Sequence, residues 1–193
     1  SDTEKVAYSG NSQKAQHELF TDSTFISSQP VTLESIKLIG SIDIPALKQG
    51  FDPKELLSTK EGKAIANFYH WRDFEKFLYN NADKITSCHS FKLNIHQLTR
   101  NATDYEIMSQ TKAKQLSETE FFVALVYLIS KQPNGEAGTF LTNGYANIFH
   151  VNLKNGATVA AFAHWYSVND GWNLRALELG GWNEGYLVFS RGN

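Results

Sequence analysis

The sequence predicts a single α+β domain in which a helical N-terminal half packs on a C-terminal four-stranded antiparallel β-meander. Two observations favour this fold class. Helix caps followed by apolar residues at helical spacing recur over about residues 51–133, and alternating segments separated by turn residues fill about residues 140–191. A chain of 193 residues is long enough to bury a core without disulfides or metal.

The first thirty residues differ in composition from the rest of the chain. Residues 1–30 are rich in Ser, Thr, Gln, Asn and Lys, and their isolated apolar residues follow no clear period. We expect a polar arm that is partly docked on a domain formed by residues 31–193. That domain opens with VTLESIKLIGSIDIPAL, whose apolar residues recur mostly at every second position. The alternation predicts a half-buried strand that bends at Gly40.

Two helices are predicted after this strand. In FDPKELL, Asp52 is placed to cap a short helix whose first position is Pro53. The following segment, STKEGKAIANFYHWRDFEKFLYNNA, begins with a capping pair, Ser58 and Glu61, and carries one broad apolar stripe. This pattern predicts a long helix that ends near Asn80.

Residues 84–133 contain a strand signal and a third helix signal. ITSCHSFKLNIHQL alternates as a strand does, and TRNATDYEIMSQ indicates a loop with a short regular piece. Ser117 and Glu120 then form a capping box before FFVALVYLI, and Pro133 follows as a stop. Because this segment is apolar on every side, we expect a helix buried under other structure.

The C-terminal part alternates strands with turns. The strand segments are YANIFHVNL, TVAAFAHWY, WNLRALEL and YLVFS. Asn155-Gly156 is typical of a two-residue hairpin turn, and such a turn sets Asn147 opposite His164. Asp170-Gly171 is a second candidate of the same kind.

This register assigns side chains to the two faces of the sheet. A two-residue turn at Asp170-Gly171 sets Tyr166 beside Arg175. One face then carries Tyr145, Asn147, His164, Tyr166 and Arg175, and the other carries Ile148, Val159, Ala161, Ala163, Trp165 and Ala176.

Composition and charge exclude several classes of partner. The net charge of −2, with no block of lysines, predicts no binding to nucleic acid. The longest apolar run has nine residues, so we expect no membrane span. His150 and His164 point to opposite faces on the predicted register, and Cys88 has no ligand cluster around it, so we predict no metal and no cofactor.

One alternative is a thiol-dependent hydrolase centred on Cys88, with His164 as the base and Asn147 orienting the imidazole. The tail GWNEGYLVFSRG also resembles the end of papain-like cysteine proteases over about a dozen residues. It has one residue fewer between Trp182 and Gly185-Tyr186 than that pattern, and Cys88 lies in TSCHSF rather than at a glycine-flanked helix start. The resemblance therefore implies no nucleophile in this chain.

The favoured interpretation is a non-catalytic binding or interaction module. Three of the four tryptophans lie in the last thirty residues, between turns rich in Gly, Asn, Asp and Glu, where indole rings can stack on a glycan or enter a protein partner. A further alternative is a structural subunit that buries these turns between copies. The predicted binding residues are Tyr145, Asn147, His164, Tyr166, Trp172, Arg175 and Trp182.

The start of the chain bears on its location. SDTEKVAYSG has neither an initiator methionine nor a charged and apolar leader, which fits either the removal of a secretory signal or a start trimmed after a tag. We expect an exported bacterial protein, secreted or periplasmic, and the alternative is a cytoplasmic one.

Overall fold

A computed structural model describes residues 33–193, and residues 34–193 form one compact unit. The predicted arm over residues 1–30 lies outside the described residues. The unit is built mostly of one large mixed sheet of eight strands with four short helices. The predicted arrangement of a helical half packed on a four-stranded meander is therefore wrong.

The large sheet has the strand order β1-β3-β10-β6-β7-β8-β2, and the short β5 pairs with β6 beyond the end of β10. A separate two-stranded ladder joins β4 to β9. The strands are β1 Ile36–Ile44, β2 Phe68–His70, β3 Phe91–Leu98, β4 Ala102–Thr103, β5 Leu116–Ser117, β6 Asn147–Asn152, β7 Thr158–Tyr166, β8 Gly171–Leu177, β9 Gly181–Trp182 and β10 Leu187–Arg191.

Two predicted helices are confirmed at their caps. The helix α1, Pro53–Leu56, begins after Asp52, whose side chain accepts from the Lys54 amide at 2.9 Å. The helix α4, Glu118–Ser130, has the predicted capping box, in which Ser117 and Glu120 exchange side-chain hydrogen bonds with each other's backbone amides. The remaining helices are α2, Arg72–Phe74, which continues into a π-helical turn at Glu75–Tyr79, and α3, Asp104–Thr111.

The long helix predicted from Ser58 to about Asn80 does not form. Gly62 adopts a φ of +138°, which no α-helix permits, and Phe68–His70 pair instead with β8 as the parallel strand β2. Phe68 and Phe74 are still buried, as the apolar stripe requires, but from a strand and a short helix. Apolar spacing predicted the burial of Phe68, Phe74 and Leu78 but not their backbone, and it wrongly placed Trp71, which is 48% exposed, on the same buried stripe.

The meander is interrupted at its last strand. Strand β10 does not pair with β8; it returns to the other side of β6, where it lies parallel to β6 and antiparallel to β3. Leu187, Val188 and Phe189 are all buried. A continuous apolar run of this kind is typical of a central strand that is covered on both faces.

The first hairpin turn contains three residues, not two. The Leu153 amide donates to the Ala157 carbonyl at 2.8 Å, and Gly156 takes the left-handed position at φ +87°. Asn147 therefore pairs with Ala163 rather than with His164. A slip of one residue moves every side chain of β6 to the opposite face of the sheet, so the predicted facing of β6 is wrong.

The second turn contains four residues, so Tyr166 pairs with Gly171 and His164 with Asn173. The predicted residue pairs are wrong, but the register between β7 and β8 is shifted by an even number of residues. Each side chain therefore stays on its predicted face of the sheet. The predicted division of β7 and β8 between the two faces is therefore confirmed, with His164 and Arg175 on one face and Trp165 on the other.

Helices α4 and α3 cover opposite faces of the sheet. On the α4 face, Phe121 of the helix meets Phe149 with 5.5 Å between ring centroids, and Trp172 and Phe189 belong to the same core. On the α3 face, Ile107 packs in a smaller core with residues of β6, β7, β9 and β10. We call these two surfaces the α4 face and the α3 face.

We predict that Gly156→Val destabilises the domain by more than about 1 kcal/mol, because a β-branched residue is strained at positive φ. Urea unfolding measures the change. Gly40→Val is the matched control, since Gly40 lies in β1 without a positive φ and an added Cβ meets no atom within 4 Å. Equal losses of stability in the two variants would contradict the turn geometry.

Candidate functional site

The α3 face contains a concave surface of about 300 Å³, which we call the groove. Strands β7 and β8 form its floor, and β9 together with the segment that follows β9 forms its wall. Its lining includes Phe162, His164, Arg175, Leu177, Trp182 and Tyr186.

Aromatic rings in contact run along the groove. Phe162 and Trp182 meet edge to face with 5.0 Å between ring centroids, and Phe162 and His164 are stacked at 5.9 Å. Tyr186 continues the row, 6.2 Å from Trp182 and 5.2 Å from Tyr145. The rings give the groove an apolar wall of defined shape.

Arg175 supplies the charge of the groove. Its guanidinium lies 4.1 Å from the ring centroid of Trp71 and 5.7 Å from that of Phe162. Its Nη2 donates to Asp73 Oδ2 at 3.0 Å, while Asp73 Oδ1 accepts from the Phe74 and Ala176 amides. Among the described residues that line the groove, Arg175 is the one that carries a full charge at neutral pH.

The surroundings of His164 favour the neutral form of its ring. Burial lowers the pKa of His164 from its ordinary value of 6.5, and the positive charge of Arg175 lowers the pKa further. The neutral ring can both donate and accept a hydrogen bond.

The wall of the groove is held by a buried carboxylate. Asp104 is fully buried, and its Oδ1 accepts from Trp182 Nε1 at 2.6 Å and lies 2.7 Å from His150 Nε2. Its Oδ2 accepts from the Gly180 amide at 2.7 Å. The ladder between β4 and β9, in which Ala102 pairs with Trp182, holds the same segment through the backbone. Trp182 is thus fixed at both its indole nitrogen and its main chain.

Sequence reasoning missed Asp104. The segment T-D-Y-E carries a capping box formed by Thr103 and Glu106, which could have indicated α3. The partners of the Asp104 carboxylate come from β6 and from the Gly180 turn, so no local pattern predicts its burial.

Four of the seven predicted binding residues lie in the groove or at its rim, and a fifth, Tyr166, lies on the same face of the sheet. Trp182, His164 and Arg175 line it, and Tyr145 contacts Tyr186 at its rim. Tyr166 is on the α3 face, two residues beyond His164, and is 46% exposed.

The other two predicted binding residues are buried away from the groove. Trp172 has no exposed surface, and its Nε1 donates to the Gln132 carbonyl at 3.1 Å. Asn147 is also fully buried, and its side chain is fully engaged with the backbone of Leu141 and Ala163. The expectation that Trp172 is presented near a sheet end is wrong, because its position in β8 faces α4 and the main core.

The structure does not bring Cys88, His164 and Asn147 together. Asn147 and His164 lie on opposite faces of the sheet because of the three-residue turn. Cys88 packs at the edge of the core on the α4 face. Burial raises the pKa of the Cys88 thiol, and the charge of Glu120 raises it further, which is the reverse of activation.

The actual register places His150 and His164 on the same face, so the predicted opposition of these histidines is wrong. His150 is nevertheless engaged by Asp104. Residues 33–193 contain no group of three or more His, Cys, Asp or Glu side chains that could hold a metal ion. None of the helices described in that range has the length and apolar character needed to cross a membrane.

No protein-family model, curated protein or solved structure matches this chain.

We predict that Asp104→Ala lowers the free energy of unfolding by about 3–5 kcal/mol, because Trp182, His150 and the Gly180 amide lose their common acceptor in a buried site. Urea unfolding measures the loss. Asp83→Ala is the control, since the Asp83 side chain is 80% exposed in its ion pair with Lys154. A loss no larger than that of Asp83→Ala would contradict the anchoring role.

We predict that NMR titration gives His164 a pKa below 6.5 and that Arg175→Met raises this pKa towards the ordinary value without fully restoring it. Burial, the larger cause, remains in the variant. Since the unfolded chain binds this proton more tightly, the stability contribution of His164 is present above about pH 6.5 and is lost as the pH falls through the folded pKa. An unchanged His164 pKa in Arg175→Met would exclude the influence of the guanidinium.

Proposed function

We propose that this chain is a non-catalytic binding module whose ligand, from a protein or a glycan, occupies the groove on the α3 face. The proposal rests on one observation: the groove combines aromatic with polar side chains in one concave surface. The aromatic residues are Phe162, Trp182 and Tyr186, and the polar residues are His164 and Arg175. Ligand sites are typically concave and largely apolar, with a few polar groups that fix orientation.

The aromatic residues around the groove support an interaction role. Trp71, stacked on Arg175, is 48% exposed, and Tyr145 at the opposite rim is 43% exposed. Rings that are exposed next to buried ones offer a ligand contact area with little loss of side-chain entropy. Nucleic acid is a poorer candidate than a protein or glycan, because the net charge of the chain is −2.

The two alternative functions have less support. A hydrolase would need a nucleophile or a second acid–base group near His164, and the described lining of the groove contains no Ser, Thr, Cys, Asp, Glu or Lys for either role. A structural subunit that buries the tryptophan turns between copies would need exposed indoles. Trp172 has no exposed surface and Trp182 is 8% exposed. Export from a bacterial cell stays a prediction.

We predict that Leu177→Trp abolishes ligand binding by filling the groove, because the partly buried Leu177 side chain lies in its lining. The measurement is saturation-transfer NMR with a panel of aromatic acids, aromatic amides, saccharides and short peptides. Lys76→Trp is the matched control, since Lys76 lines a separate depression of similar volume beside Asn155.

Thermal unfolding verifies that both variants are folded. The proposal requires at least one ligand that binds wild type and Lys76→Trp but not Leu177→Trp. A panel in which every ligand binds Leu177→Trp as well as wild type, or in which none binds wild type, would contradict it.

A further inference from the structure

We propose that the groove recognises a carboxylate carried on a flat, apolar ring, with Arg175 as the anchor of the carboxylate. This inference rests on the proposed function of the groove as a binding site and specifies its ligand class, which includes a small aromatic acid as well as a segment of a protein. It follows from the unpaired donors, the charge and the shape of the groove.

Two buried donors on the α3 face, one of which belongs to a residue that lines the groove, have no acceptor. Within the described part of the chain, Arg175 Nε and Asn173 Nδ2 are buried without a hydrogen-bond partner. The two residues alternate along β8 on the α3 face, and Asn173, which is 94% buried, pairs across the sheet with His164. Unpaired buried donors cost free energy, and a ligand that supplies acceptor oxygens removes that cost.

The charge of the groove favours an anionic acceptor. Arg175 is the charged side chain among the described lining residues, and no carboxylate lies in that lining. Asp73 engages the guanidinium through Nη2 alone, because its other oxygen accepts from two backbone amides. The Nε edge is therefore left for a second oxygen ligand, and Arg recognises carboxylates with paired N–H donors.

The guanidinium is also oriented before any ligand arrives. The guanidinium carbon lies over the ring of Trp71, 4.1 Å from its centroid, and 5.7 Å from the centroid of Phe162, so these rings restrict the plane of the group. An oriented donor set reduces the entropy that binding must overcome.

The apolar wall of the groove favours a ligand with a planar aromatic ring over a ligand with a saturated carbon skeleton. Phe162, Trp182 and Tyr186 contact one another edge to face or tilted, and an incoming ring can join the row in the same geometry. A volume of about 300 Å³ is at the small end of ligand sites, which favours one or two rings. The same chemistry is presented by a free aromatic acid and by the terminal carboxylate of a peptide that ends in an aromatic residue.

The test compares phenylacetate with phenylacetamide. The two compounds contain the same phenyl ring, but the first carries a carboxylate and the second a neutral amide. We expect wild type to bind phenylacetate at least about tenfold more tightly, measured by NMR titration of backbone amides. Arg175→Met should weaken phenylacetate binding by about tenfold to a hundredfold and leave phenylacetamide unchanged. Arg191→Met is the matched control, since Arg191 also stacks on a ring, Phe91, and pairs with a carboxylate, Glu120.

The comparison of acid with amide in wild type needs no variant, so instability of Arg175→Met does not obstruct the test. Equal affinities for acid and amide overturn the carboxylate inference, while loss of both in Leu177→Trp still supports the groove as the binding site. Glucuronate binding as tightly as phenylacetate overturns the requirement for a flat ring. Failure of every aromatic acid overturns the inference even where a neutral ligand binds.

A second arm identifies the source of the carboxylate. Tighter binding of N-acetyl-Gly-Phe than of phenylacetate supports recognition of a peptide terminus. The reverse order supports recognition of a free aromatic acid. Both outcomes require that the peptide amide bind more weakly than the peptide acid, and equal binding of the two peptides counts against the inference.

Discussion

The buried carboxylate of Asp104 is the contact on which the α3 face depends. It joins the first turn of α3, the imidazole of His150 on β6, the amide of Gly180 and the indole of Trp182. A carboxyl group can be buried at this position because the indole of Trp182, the amide of Gly180, the imidazole of His150 and the amino end of a helix surround it. The same contact fixes Trp182 in the wall of the groove, so a residue that does not line the groove, Asp104, helps to determine its shape.

Several local signals in the sequence predicted local structure correctly, although the capping pair of Ser58 and Glu61 predicted a helix that does not form. The caps of α1 and α4, the strand β1 with its irregularity at Gly40, and the alternating strands β6 to β8 are all present. Each of these depends on a few neighbouring residues and on backbone groups that they satisfy directly. The place of β10 was not predictable in this way, because a central strand is distinguished by its neighbours in space and YLVFS fits equally well at an edge.

The candidate site was partly predictable, because the face on which a strand residue lies depends on whether the strand pairing shifts by an even or an odd number of residues. The four-residue turn after Tyr166 replaced an expected two-residue turn, and an even change keeps His164 and Arg175 on one face. The turn at Gly156 contains three residues, one more than predicted, and this odd change moved Asn147 to the other face. Trp172 shows a different limit, since its position between Phe140 and Trp165 in the core follows from packing that no spacing reveals.

The position of β10 has a consequence for how the chain reaches its folded state. The strands divide into one group of β1 and β3 and another of β6, β7, β8 and β2, and among the described strands β10 is the one that bonds to both. It follows all the others in the sequence, so both groups can form early, yet each keeps an unpaired strand edge until Leu187–Arg191 inserts between them. Strand pairs between residues that are far apart in the sequence form slowly. Without β10 the facing edges of β3 and β6 lack this partner, and unpaired strand edges are places where a second copy of a chain can pair.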